Sequence, residues 1–157
     1  MKKSVFIVAI TLLVGANISV AQVQIYNPQA DAIADLDSAL KIAKKENKNV
    51  LVQIGGNWCP WCAKMHNLFE TDSSIVNILH ENYITIRVNY SKENKNLELL
   101  GKLENPQRFG FPVLVVINSN GQRIHTQDSG LLESGNGYDT RKVVGFLKNW
   151  TATAVNQ

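Results

Sequence analysis

Val50-Leu51-Val52-Gln53-Ile54-Gly55-Gly56-Asn57-Trp58-Cys59-Pro60-Trp61-Cys62 decides how this chain is read. Val50 to Ile54 is a short apolar run of strand length, and Gly55-Gly56-Asn57 is a loop. From Cys59 to Phe69 the pattern turns helical, with Cys62, Met65 and Phe69 on one face. Pro60 suits the first turn of that helix, where its missing N–H has no partner to lose. Cys59 and Cys62 are the chain's 2 cysteines. A bridge between them closes too short a loop to constrain the unfolded chain appreciably, so reactivity explains the pair better than stabilisation does. The choice is between a redox pair and half of a metal site. A zinc site needs three or four ligands. His66 follows Cys62 at helical spacing, with His80 or His125 as a fourth donor, but there is no second CxxC or close His pair. No metal is expected.

Working outward, Ala30 to Glu46 carries Ile33, Leu36, Leu40 and Ala43 at helical spacing, with acids early and lysines late. Ser73 or Ser74 is expected to cap a short helix through Leu79. Tyr83 to Val88 alternates as a strand does, and a helix is expected from about Asn94 to Leu103. Val113 to Ile117 reads as a strand, with Asn118-Ser119-Asn120-Gly121 as the turn into a partner strand from Arg123 to Thr126. Gln127 to Tyr138 reads as a loop, Thr140 to Trp150 as an amphipathic helix, and Thr151 to Gln157 as a frayed tail. This order implies one α/β domain with the first two strands parallel and an antiparallel hairpin near the C-terminus.

The 157 residues are 45% hydrophobic and 18% charged, enough for a single core and unlike a disordered or disulfide-dense chain. Net charge is +3, of which Lys2 and Lys3 supply two units; from Gln22 onward 14 Lys and Arg face 13 Asp and Glu. Such a balance gives no reason to expect nucleic acid or an anionic membrane as partner. Residues 1–21 read as a signal peptide: Lys2-Lys3, then apolar Val5 to Val14, then small residues ending at Ser19-Val20-Ala21. The apolar run is about half of the roughly 20 residues that span a bilayer. An uncleaved N-terminal anchor is the alternative. The mature domain, residues 22–157 with a core at about 31–150, is expected to be periplasmic or secreted, with no membrane insertion once the leader is gone.

Trp58-Cys59-Pro60-Trp61-Cys62 between strand and helix, followed later by Phe111-Pro112-Val113 before a strand and hairpin, resembles the thioredoxin superfamily. The resemblance runs from about Asp31 to Trp150 and is closest to exported thioredoxin-like proteins. It implies a thioredoxin-like fold, a central mixed sheet flanked by helices, and a thiol–disulfide oxidoreductase that needs no bound cofactor. It also places Pro112 as a cis-proline facing the cysteines, with Phe111 free to pair with a bound peptide; an ordinary trans proline starting a strand is the alternative.

The chemistry of the pair follows from its position. Disulfide exchange needs one acidified, accessible thiol and a second that resolves the mixed disulfide. A helix N-terminus favours the thiolate at Cys59, the expected nucleophile, and Cys62, about one turn deeper, is the expected resolving thiol. Trp58 and Trp61 are expected to line the substrate lip, with Trp61 the more exposed and packing of Trp58 on the domain as the alternative, while Pro60 tunes the pair. Many thioredoxins have a buried acid where this chain has Gln53, which cannot accept a proton, and Arg87 stands where a lysine often pairs with that acid. No His lies between the cysteines, which favours a reductase over a strong oxidant. The expected partners are disulfide-bearing proteins or peptides and a redox partner that restores the dithiol, the chain acting as a monomer. A disulfide oxidase or isomerase and a non-catalytic peptide-binding module are the alternatives.

Overall fold

The computed structural model of the chain describes residues 24–155, so the expected leader over residues 1–21 lies outside the described residues. Strand β1, Asn49–Gly55, is buried along all 7 residues and forms the axis of the domain. β2, Tyr83–Asn89, runs parallel to it, with Gln53 opposite Arg87. On the other side β3, Val113–Ile117, is antiparallel both to β1 and to β4, Arg123–Asp128. The result is a four-stranded mixed sheet in the order β2-β1-β3-β4, with the expected parallel pair and antiparallel hairpin.

Successive side chains of β1 point to opposite faces, and each face meets helices. Val50, Val52 and Ile54 pack with α1 (Ala32–Glu46) and α4 (Leu97–Lys102) through Ala39, Ala43, Leu99 and Leu100. Leu51 packs on the other face with α2 (Pro60–Thr71), α3 (Ser73–Asn82) and α5 (Thr140–Asn149) through Met65, Phe69, Ile75 and Leu147. A strand covered on both faces loses its alternation and reads as a continuous apolar run. Gln53 breaks that run on the face of Leu51, and it is fully buried. Among the described residues no helix is long and apolar enough to cross a membrane.

Element ends differ from the sequence reading for local reasons. Asp31 caps α1 by accepting from the backbone N–H groups of Ile33 and Ala34, and Asn47, in the left-handed region at φ 53°, closes it. Asp72, rather than Ser73 or Ser74, caps α3: its carboxylate accepts from Ser74 N and Ile75 N, and these bonds with the Ser74 hydroxyl hold its pKa below the ordinary value. α4 starts only at Leu97, because Asn96 sits at φ 49° and the Asn94 side chain is committed to Pro28 O. The expected loop from Gln127 to Tyr138 is ordered. β4 runs on to Asp128, which caps a 3-10 turn at Ser129–Leu132, and β5 (Glu133–Ser134) pairs with β6 (Gly137–Tyr138). The expected frayed tail instead begins with a short helix, α6 (Ala152–Val155), whose Ala154 N–H is capped by the Thr151 hydroxyl, with Thr151 and Ala152 buried.

Candidate active site

The site forms where β1 ends and α2 begins. Cys59 is not the first helical residue but the N-cap, with extended backbone (φ −96°, ψ 108°), and Pro60 occupies the first turn. Its Sγ accepts the Cys62 backbone N–H at 3.1 Å, one of the donors that a helix start leaves unpaired. The two cysteines are joined as a disulfide with their Cα atoms 5.2 Å apart. Cys59 keeps 5% of its surface exposed and Cys62 none. An attacking group therefore reaches Cys59 and not Cys62.

Aromatic side chains frame that opening. Trp58 is 56% exposed; its indole N–H donates to Tyr90 O at 2.7 Å and its ring meets Phe111 edge-on at 5.5 Å. Phe111 also lies against Tyr90, at 4.8 Å. Trp61 is the more covered of the two tryptophans, the reverse of the sequence expectation. It packs edge-on against Tyr138 at 5.3 Å, and the Lys64 ammonium sits 4.1 Å from its ring centroid while donating to Asn136 O. β6, unforeseen in the sequence, supplies that cover, and burial pushes the Tyr138 hydroxyl up to about 12. The Phe111–Pro112 peptide bond is cis, and Pro112 O accepts from the buried Ser129 hydroxyl.

Beneath the disulfide lies a side chain that no motif announced. Tyr26 is 1% exposed and shares a buried cluster with Cys59 and Cys62, with Ile25, Trp61 and Phe111 against it. Asn57 puts it there: Asn57 Oδ1 accepts from the backbone N–H groups of Ile25 and Tyr26, and Asn57 Nδ2 donates to Tyr26 O. Gln53 Nε2 donates to the Tyr26 hydroxyl at 2.9 Å, while Gln53 Oε1 is buried without a partner among the described residues. Burial holds the Tyr26 phenol well above its ordinary pKa, only partly offset by the Gln53 hydrogen bond and the nearby Arg87 charge. Arg87 itself pairs with Glu70 at 2.6 Å.

The three histidines do not converge. His66 lies 3.6 Å from Glu70, with its pKa lowered first by burial and then by the Arg87 charge. His125 stacks on Trp150 at 4.1 Å, away from the cysteines. Among the described residues no three His, Cys, Asp or Glu side chains form a group able to hold a metal ion.

A mixed sheet thus carries a Cys-x-x-Cys pair at the start of a helix, with Phe111 of the cis X-Pro bond packed against it. The thioredoxin-like family model matches residues 31–119, more than half of the chain. The chain belongs to the thioredoxin-like family. Solved structures of thioredoxin-like architecture agree on the fold. A disulphide isomerase from Xylella fastidiosa Temecula1 is 24% identical, with a TM-score of 0.73 over 82% of this chain and 98% of that one. The DsbH oxidoreductase is 22% identical, with a TM-score of 0.56 over 83% of this chain and 87% of that one. The C-terminal domain of DsbD from Neisseria meningitidis, in the oxidised form, is 17% identical, with a TM-score of 0.55 over 76% of this chain and 96% of that one. No curated protein sequence matches the chain significantly. A thioredoxin-like domain that holds a CxxC pair as a disulfide supports thiol–disulfide oxidoreductase chemistry.

Proposed function

We propose that this thioredoxin-like protein is exported and reduces disulfides of proteins or peptides, with Cys59 as nucleophile and Cys62 as resolving thiol. The observation that carries the reading is the asymmetry of the pair. Cys59 keeps 5% of its surface exposed at a helix start and its Sγ accepts a backbone N–H, whereas Cys62 is fully enclosed. A helix start favours negative charge on the outer sulfur once the disulfide opens, and enclosure shields the inner one from substrate. The Cys59 thiolate attacks one sulfur of the substrate disulfide and expels the other as a thiolate. Cys62 then attacks Cys59 Sγ in the mixed disulfide, the Cys59–substrate bond breaks, and the second substrate thiolate leaves. One disulfide is consumed and one is formed, so an external dithiol partner must reduce the pair again.

Trp58 and Phe111, in contact beside Cys59, offer apolar surface to the substrate, while Trp61 is held back by Tyr138. The reducing direction is supported by the absence of a histidine between the cysteines, so no imidazolium within the motif adds to the helix start in stabilising the Cys59 thiolate. Export is supported by the basic, apolar and small-residue order of residues 1–21. The domain is taken to act as a monomer.

Trapping tests the division of roles. Cys62→Ser, incubated reduced with a disulfide-bearing peptide, is expected to accumulate a mixed disulfide on Cys59 that dithiothreitol releases. The wild type should pass through it without accumulation. Failure of Cys62→Ser to trap while Cys59→Ser does would reverse the roles.

A further inference from the structure

Resting on the oxidoreductase reading above, we propose that Tyr26 is a positioning residue for the resolving sulfur. Its hydroxyl, oriented by Gln53, donates a hydrogen bond to Cys62 Sγ once the disulfide opens and so stabilises that sulfur as a thiolate.

Three observations converge. The hydroxyl and the sulfur border the same space over Gly55, without a hydrogen bond between them in the oxidised form: a Cβ built on that glycine would stand 2.5 Å from Cys62 Sγ and 2.7 Å from Tyr26 Oη. Gln53 Nε2 already donates to Tyr26 Oη at 2.9 Å, which occupies an oxygen lone pair and leaves the hydroxyl hydrogen for another acceptor. Tyr26 is also locked in place, 1% exposed and with its backbone N–H bonded to Asn57 Oδ1 at 3.0 Å.

The need for such a donor follows from burial. Cys62 is fully enclosed, and a thiolate taken from water without a partner is strongly disfavoured. Gln53 cannot accept a proton, so the acid found at this position in many thioredoxins has no equivalent here. Tyr26 does not replace it as a base, because burial keeps the phenol protonated at neutral pH. It replaces it as a donor. The other charged or titratable groups facing this corner are Arg87 on β2, tied to Glu70, with Glu70, His66 and Cys59 at α2 and Tyr138 on β6. Arg87 favours the thiolate as well, but Glu70 offsets part of its charge.

In the release step the Cys62 thiolate attacks Cys59 Sγ of the mixed disulfide. A Cys59–Cys62 bond forms, the Cys59–substrate bond breaks, and the departing substrate sulfur takes the electron pair and afterwards the proton that Cys62 gave to solvent. The Tyr26 hydrogen bond lowers the cost of the starting thiolate. Run backwards, the same bond stabilises Cys62 as the leaving group.

The test uses the full chain with Tyr26→Phe, which keeps the ring and removes the hydroxyl. Single-turnover release from the Cys59 mixed disulfide is followed across the neutral to alkaline range, and the dithiol is equilibrated with glutathione. Release is expected to slow about tenfold, the loss of a hydrogen bond to a charged group, with its pH midpoint moved upward. At alkaline pH, where Cys62 ionises in the dithiol, the glutathione equilibrium should move toward the disulfide by up to about tenfold, or about 30 mV more negative, with little change where Cys62 stays a thiol. Alkylation of Cys59 in a Cys62→Ser background should keep its pH midpoint with and without the Tyr26 hydroxyl. Gln53→Met is expected to shift release and equilibrium in the same direction by less, and it gives the reading if Tyr26→Phe does not fold. Wild-type release, pH midpoint and equilibrium in folded variants would overturn the proposal. A wild-type chain with no reversible couple would instead overturn the oxidoreductase reading on which the proposal stands.

Discussion

Replacing Cys59 by serine is expected to bring disulfide reduction down to the uncatalysed background, a loss on the order of 10³-fold or more for removal of a covalent nucleophile. The serine hydroxyl is isosteric enough to keep the Cys62 N–H as its cap donor, since serine is itself a favoured N-cap residue. The fold should therefore survive apart from the lost short-loop disulfide, which constrains the unfolded chain little. Turnover of a disulfide-bearing peptide with excess dithiol donor, corrected for the donor alone, gives the comparison. Residual activity within tenfold of wild type would show that Cys59 is not the attacking group.

The second large effect is expected at Gly55. Glycine to alanine in a strand is ordinarily neutral to favourable, because alanine narrows the unfolded ensemble. Here the new methyl would stand 2.5 Å from Cys62 Sγ, 2.7 Å from Tyr26 Oη and 3.0 Å from Tyr26 Cζ. Neither neighbour is the loose end of a flexible side chain. The sulfur is fixed in the disulfide, and the phenol is fixed by Gln53 and Asn57. Gly55→Ala is expected to destabilise the oxidised protein by about 1–3 kcal/mol through overpacking, read from urea midpoints at constant slope. An unchanged or raised midpoint would mean that Tyr26 and Cys62 are not packed against this backbone.

These outcomes also bear on what a sequence can reveal. The axis of the fold was legible because β1 is covered on both faces and so is apolar but for Asn49 and Gln53, and because the cysteines flank a proline suited to the first turn of a helix. Asn and Asp side chains moved several boundaries: Asp72 took the cap from Ser73, and Asn96 delayed α4. Such competition is decided by a single hydrogen bond, which periodicity does not register. The β5–β6 hairpin escaped notice because each strand is only 2 residues long, yet it supplies Tyr138 and reverses the exposure of the two tryptophans. Tyr26 was the larger omission. It precedes the first helix and lies outside the stretch of family resemblance, with no motif around it. The one signal pointing to it was Gln53, a lone amide in an apolar strand. A buried amide demands a polar partner, but nothing in the sequence says which residue supplies it.

Reversible opening of the Cys59–Cys62 bond is the claim on which the rest depends, and a glutathione redox titration of the full chain measures it directly. A two-electron couple near the thioredoxin value of about −270 mV is the predicted result. A couple above about −180 mV would contradict the reducing direction, as expected for an oxidase or isomerase. The absence of any reversible couple would contradict the account itself and leave the aromatic lip as a binding surface without turnover.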